Sequence, residues 1–188
     1  YNQNTMKTLT SFITGLSLLL PLVASAAMFG QGDEVTVKRG DVVSDDYYVT
    51  GGSVIFSGTV RGDVLAAGGK ILVNGQVNED LIAAGGSVDV LGPVFDDVRV
   101  AGGQVIIGGN VSGDVLAAGG TITVLSNVVV GGDVVAAGGR VVIDGTVSGD
   151  VTVFSGEVVI NGVVNGNVTI KSSKKVTIGE DAAIGGDL

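Results

Sequence analysis

Most of the ionisable side chains in this sequence are carboxylates. The 188-residue chain has 19 Asp and Glu residues against 10 Lys and Arg, and it contains neither His nor Cys. The commonest general base, the thiolate nucleophile and Cys-based metal sites are therefore excluded. A formal charge of −9 argues against a nucleic-acid partner, because a basic face is needed to replace phosphate counterions. The chemistry that remains is cation binding or acid–base work by carboxylates.

Six aspartates recur along the chain at intervals of 17 or 19 residues; they are Asp63, Asp80, Asp97, Asp114, Asp133 and Asp150. If each interval is one structural repeat, these side chains stack in a row at about one strand spacing, where like charges repel unless something compensates. One interpretation is a row of weak Ca²⁺ sites, since hard cations favour oxygen ligands. The other is that each carboxylate accepts a backbone N–H at its own corner, as in an Asx-turn. The second is favoured, because each site offers few ligands and the calcium-binding nonapeptide repeat is missing.

Adjacent carboxylates occur in three places, at Asp45-Asp46, Glu79-Asp80 and Asp96-Asp97. Enzymes that act on polysaccharides use paired carboxylates, or clusters of Asp, Lys and Arg. The best candidate for such a site is Asp96-Asp97 with the nearby Arg99. The repeats are too short to carry the loops that build a cleft, so we assign no catalytic residue, no cofactor and no enzymatic activity.

The elements that position these side chains follow from the repeat. Numbering each Asp as position 1, apolar residues fall at positions 2, 4, 9, 11 and 15, as in Val64, Ala66, Ile71, Val73 and Val77. Short alternating clusters separated by Gly or Asn predict strands and corners. Stacked in parallel, they predict an all-β, single-stranded β-helix (β-solenoid) of triangular section, with about eight coils of 17 residues and a length of roughly 40 Å. Glycine is expected at the corners for positive φ angles.

Position 3 of the repeat should face outward, because positions 2 and 4 face inward. It holds Leu65, Ile82, Leu116 and Val135, which would form a partly apolar stripe along one side of the rod. Such a stripe marks a contact surface for a partner, a second rod or a covering segment. The alternative is the ordinary scatter of exposed aliphatic residues.

Residues 1–27 are predicted to be a short extension and a signal peptide. Lys7 precedes an apolar stretch that ends in Ala24-Ser25-Ala26, which has the form of a cleavage site. An uncleaved membrane anchor is the alternative. In both cases the body is exported to the cell envelope, either outside the cell or in the periplasm. Residues 28–45 are predicted as an N-terminal cap, and residues 46–188 as the repeat domain, cut off within a coil.

Three segments of the repeat region resemble the bactofilins, also called polymer-forming cytoskeletal proteins. They are Gly62–Gly69 (GDVLAAGG), Val141–Asp150 (VVIDGTVSGD) and Val176–Gly179 (VTIG), and the resemblance extends over residues 33–188. It implies a right-handed β-helix that assembles end to end into filaments without nucleotide, as a scaffold at the bacterial envelope. Bactofilins are cytoplasmic, so a chain with an export signal is more similar to exported relatives whose β-helix often precedes transmembrane segments.

The expected function is that of a non-enzymatic scaffold of the cell envelope. Its expected partners are other copies of itself, with envelope components or the membrane as further contacts, and no nucleic acid. A monomeric adhesin stalk or surface binding module is the first alternative. A β-helix enzyme acting on polysaccharides is the second.

Overall fold

The computed structural model describes residues 28–188, and this part of the chain is built from strands. The predicted signal peptide lies outside the described residues. These residues form nine long strands and seven short ones: β1 (Met28–Val37), β2 (Val42–Val43), β3 (Tyr47–Phe56), β4 (Thr59–Val60), β5 (Val64–Val73), β6 (Gln76–Val77), β7 (Leu81–Val90), β8 (Val98–Ile107), β9 (Val115–Val124), β10 (Val129–Val130), β11 (Val134–Ile143), β12 (Thr146–Val147), β13 (Val151–Ile160), β14 (Val163–Val164), β15 (Val168–Ile178) and β16 (Ala183–Ile184).

The strands stack in parallel as a β-solenoid, which confirms the predicted fold class. The long strands form one nine-stranded sheet in the order β1-β3-β5-β7-β8-β9-β11-β13-β15. Val64 pairs with Leu81, 17 residues later, and every residue of β5 keeps this offset against β7. Residues 28–188 form nine coils rather than about eight. The additional coil is the first, because β1 and β2 of the predicted cap segment pair in register with β3 and β4.

Each long strand supplies two sides of the triangular coil, because it bends in the middle. In β5, Val64 and Ala66 point into the core before the bend, and Ile71 and Val73 point into it afterwards. Between them the alternation slips by one residue at Gly68-Gly69. The third side is made by the short strands, and single bridges at Val94 and Val111 in the coils between them make it continuous.

The glycines of the bend are needed for close approach between coils, and the predicted reason for them is wrong. Within residues 28–188, Gly40 alone among the glycines has a positive φ, of 91°. A Cβ placed on Gly85 would lie 2.7 Å from the carbonyl oxygen of Gly68 in the coil before it. Carbon and oxygen cannot approach that closely without moving the backbone. The coil spacing therefore favours glycine, while the backbone conformation of the bend is open to other residues, and Ser155 and Ser172 take the equivalent position in the last two coils.

Extra residues enter the repeat mainly at one corner, between a long strand and the following short one. Three tight turns lie there, closed by backbone hydrogen bonds from Asp41 to Lys38, from Val128 to Leu125 and from Ala182 to Gly179, at 3.0–3.2 Å. The turn 125–128 accounts for the predicted interval of 19. Between Asn167 and Asp187 the interval is 20 residues. One of the three extra residues shifts the register between β13 and β15, and the other two lie in the turn 179–182.

The core is a set of stacked aliphatic ladders that runs the length of the rod. Val158 and Ile160 of β13 are fully buried, whereas Val176 and Ile178 occupy the same positions in β15 and are 47% and 38% exposed. The difference arises because no described coil covers β15. Between residues 28 and 188 there is no helix of the length and apolar character that crossing a membrane requires.

Candidate functional site

The recurrent aspartates form a ladder of hydrogen bonds that joins each coil to the next. The Oδ1 atom of one residue accepts a hydrogen bond from the backbone N–H of its equivalent in the following coil, as Asp63 does from Asp80 at 3.0 Å. Eight such bonds, of 2.7–3.1 Å, connect this aspartate ladder, which comprises Asp46, Asp63, Asp80, Asp97, Asp114, Asp133, Asp150, Asn167 and Asp187. The acceptor role was predicted, but the predicted donor is wrong. The N–H belongs to the next coil because a carboxylate at strand spacing reaches it directly.

The residue before each ladder aspartate is usually glycine, for a steric reason. A Cβ on Gly149 would collide with Oδ1 of Asp133, and one on Gly166 would collide with Oδ1 of Asp150. The Gly-Asp pair is thus a unit, in which the glycine leaves room for the carboxylate of the coil before it. The ladder also needs no charge to work, since Asn167 accepts from Asp187 at 2.9 Å.

Arg99 binds two neighbouring rungs of the aspartate ladder. Its guanidinium donates to Oδ2 of Asp80 at 2.6 Å and to Oδ2 of Asp97 at 2.7 Å. The hydrogen bond and the charge of Asp80, together with Asp97, raise the pKa of Arg99 further above its ordinary value. At this point of the row the like-charge repulsion is compensated within the chain itself.

The predicted calcium sites have unequal surroundings. Between residues 28 and 188, carboxylates come within 4.8 Å of one another in two groups of three, formed by Asp46, Asp63 and Glu79 and by Asp80, Asp96 and Asp97. In the second group, Arg99 already binds the outer oxygens of Asp80 and Asp97. The rungs Asp114, Asp133 and Asp150 belong to neither group. Calcium binding stays a prediction, and because every Oδ1 on the row is an acceptor in the ladder, it would depend on Oδ2 atoms.

The best enzymatic candidate, Asp96-Asp97 with Arg99, is held in this same network. Asp97 accepts from the N–H of Asp114 through Oδ1 and from Arg99 through Oδ2, so both of its oxygens are engaged. Asp96 is exposed. The geometry therefore provides one free carboxylate beside an ion pair, and not the two facing carboxylates of a glycosidase.

One carboxylate that the sequence analysis did not single out is partly buried. Asp89 lies next to the last residue of β7, and its Oδ1 is shielded from solvent without a hydrogen-bond partner in the described part of the chain. Its neighbours in register are Leu72 and Ile106. Asp89 could have been identified from the sequence, because it is a charged residue at a repeat position that is aliphatic in the neighbouring coils.

The predicted stripe lies on the first side of the coil and is exposed, as the alternation requires. The exposed fractions are 43% for Leu65, 40% for Ile82, 51% for Leu116 and 36% for Val135. Two residues further along each strand is a second outward column, which the sequence analysis missed. In five successive coils it holds alanine, at Ala67, Ala84, Ala101, Ala118 and Ala137. The outward residues of these two columns, from β3 to β15, are called the alanine face below.

At its N-terminal end the alanine face becomes a shallow apolar groove of about 400 Å³. Phe29 and Tyr48 stack at one end of it, with ring centroids 5.5 Å apart. Leu65 and Ile82 line one side, and Ala67 lies in its floor. A surface of this kind suits contact with another apolar surface better than it suits a reaction.

No protein-family model, curated protein or solved structure matches this chain.

Proposed function

We propose that this chain is a non-enzymatic structural protein of the bacterial cell envelope, which associates end to end through its terminal coils. The observation that carries the proposal is the uniform parallel stacking of the long strands, because a coil of a second copy can pair with a terminal coil in the same way as the coils of one chain pair with each other. In the last described coil, Val176 and Ile178 are 47% and 38% exposed, where the equivalent residues one coil earlier are fully buried. A coil stacked on β15, whether from the same chain or from another copy, would remove this apolar surface from water.

The strand edges support the same proposal. In the described part of the chain, β1 and β15 are the outermost strands of the nine-stranded sheet, and each has a paired neighbour on one side only. Unpaired N–H and C=O groups along a ten-residue edge are a template for another strand. Apolar side chains and unpaired backbone groups are therefore presented together on the outer side of the last described long strand. The resemblance to bactofilins agrees with this arrangement.

The location at the envelope is supported by the sequence. The predicted signal peptide, with its cleavage site at Ala24-Ser25-Ala26, would export the body of the protein. Intact-mass measurement of the protein recovered from the envelope tests this part of the proposal. A mature chain that begins at Ala27 is the expected result, and a chain recovered from the cytoplasm with its N-terminus intact would contradict it.

End-to-end association is tested by negative-stain electron microscopy of the purified chain and of the double variant Val176→Lys/Ile178→Lys. The parent is expected to form regular filaments. The variant is expected to give short separate rods, because a charged end cannot be covered without a large desolvation cost. Circular dichroism checks that it still folds, which is expected because both side chains are partly exposed.

The matched control is Gln104→Lys/Thr121→Lys, which adds the same two positive charges at exposed outward positions in the middle of the rod. It is expected to form filaments like the parent. If the parent itself gives isolated rods at high protein concentration, the scaffold proposal fails and the monomeric stalk becomes the better interpretation.

A further inference from the structure

The alanine face combines one large and one small outward residue in almost every coil. The pairs in successive long strands from β3 to β13 are Tyr48 and Thr50, Leu65 and Ala67, Ile82 and Ala84, Arg99 and Ala101, Leu116 and Ala118, Val135 and Ala137, and Thr152 and Phe154. Because the strands are stacked in register, the large residues form a ridge and the small ones form a groove beside it. Ridge and groove run parallel to the rod.

Arg99 interrupts the ridge in sequence but does not obstruct the groove. Its guanidinium is bound by Asp80 and Asp97 in the aspartate ladder, on the side of the strand away from Ala101. Its charge is neutralised there by two carboxylates. The alanine face is therefore apolar over several coils, and the ridge residue Leu116 is 51% exposed.

We propose that the alanine face binds the alanine face of a second copy of this chain, with the two rods side by side and pointing in the same direction. A two-fold axis parallel to the rods exchanges left and right, so the ridge of each copy lies over the groove of the other. Such an isologous contact is self-complementary, as a closed dimer requires. Rods pointing in opposite directions would meet ridge against ridge, with Arg99 facing Arg99 at the centre.

The last of these coils supports the parallel arrangement separately. In β13 the order of sizes is reversed, with the small Thr152 in the ridge column and the large Phe154 in the groove column. The large Phe154 side chain would obstruct any partner that packs into a uniform groove of small residues. In the parallel pair it meets Thr152 of the other copy at the same height, so a large residue faces a small one in this coil too.

The area of the face sets the expected strength of the contact. The eight long strands of the face, about 4.8 Å apart, give a length of about 34 Å, and two outward columns give a width of about 13 Å. Two such faces together bury about 900 Å², the size of a weak interface. A second copy at moderate concentration can therefore occupy the face, and dissociation in the micromolar range is expected.

The pairing goes beyond the proposed end-to-end association, and a separate variant tests it. Ala101→Glu/Ala118→Glu fills the groove and adds charge, while both side chains stay outside the core. The matched control, Gln104→Glu/Thr121→Glu, makes the same charge change in the same two coils on the neighbouring side of the rod. Sedimentation equilibrium is run in the Val176→Lys/Ile178→Lys background, so that end-to-end contacts do not contribute.

The background protein and its control are expected to dimerise, and the groove variant is expected to dimerise at least tenfold more weakly. A background protein that stays monomeric, or a groove variant that dimerises like the control, would overturn the proposal. Loss of filaments in the end variant together with loss of dimers in the groove variant shows two independent contacts. A failure of one experiment leaves the other interpretable.

The direction of the rods is tested by cross-linking, which the lack of native Cys makes unambiguous. In the parallel pair, position 116 of one copy lies over position 118 of the other. A mixture of Leu116→Cys and Ala118→Cys proteins is therefore expected to give mainly the mixed disulfide on mild oxidation. If each variant instead cross-links only to itself, or neither does, the parallel pairing is wrong.

Discussion

The aspartate ladder connects each coil to the next through one carboxylate oxygen and one backbone N–H. The interval of 17 residues was enough to predict that these side chains stack, since equal spacing along a solenoid means equal position in the coil. The donor could not be predicted from spacing. A carboxylate at a corner can accept from an N–H of its own corner or from one in the next coil, and the structure shows that Asp63 accepts from the N–H of Asp80.

Replacing one rung separates the acceptor role from the charge. Asp114→Ala leaves the N–H of Asp133 without its protein acceptor and is expected to reduce the free energy of unfolding by about 1 kcal/mol. Asp114→Asn keeps an acceptor oxygen, as Asn167 does naturally, and also removes a repelled charge. Its stability should equal or exceed that of the parent in urea denaturation. Equal losses in both variants would show that the charge, and not the hydrogen bond, is what matters.

The coil shows which features of an element can be predicted from a repeat. The inward positions were predicted correctly, because apolar residues at fixed offsets identify the core face whatever the exact path of the chain. The continuous ten-residue strand was not, because a bend that keeps its hydrogen bonds is indistinguishable in sequence from a break at Gly68-Gly69. The first coil was missed as a coil because its Gly30-Gln31-Gly32 segment lacks the preceding Asp of the pattern.

The role of the bend glycines is tested by the same substitution in two coils. Gly85→Ala would place a Cβ 2.7 Å from the oxygen of Gly68, and is expected to cost about 1–3 kcal/mol by overpacking. Gly32→Ala is the matched control, since Gly32 has the equivalent position in β1, with the closest non-neighbouring atom 3.5 Å away. Thermal unfolding should show little change for it. A similar loss at both positions would restore a conformational requirement for glycine.

In the molecule as a whole, the charged aspartate ladder and the apolar alanine face lie on different parts of the rod. The formal charge of −9 belongs partly to the aspartate ladder, where carboxylates are stacked about one strand spacing apart. The alanine face is apolar, and its use for pairing could be predicted only in part. The stripe at Leu65 and Leu116 follows from alternation, but the second column needs the position of the bend, which decides how many outward residues share one side.

The ionic conditions distinguish screening from calcium binding. Raising the concentration of sodium chloride is expected to increase the melting temperature, because salt screens the repulsion along the aspartate ladder. Millimolar calcium chloride is expected to give the same melting temperature as sodium chloride of equal ionic strength. A rise specific to calcium, abolished by a chelator, would instead support the calcium sites predicted on this row.

The three tight turns at one corner of the coil have a consequence for engineering. The turns 38–41, 125–128 and 179–182 each add two residues, and the neighbouring strands stay paired on both sides of them. This corner therefore already accommodates two additional residues in three of the coils. A foreign peptide grafted between Ser126 and Asn127, both exposed, would be displayed at mid-height on the rod without disturbing the core.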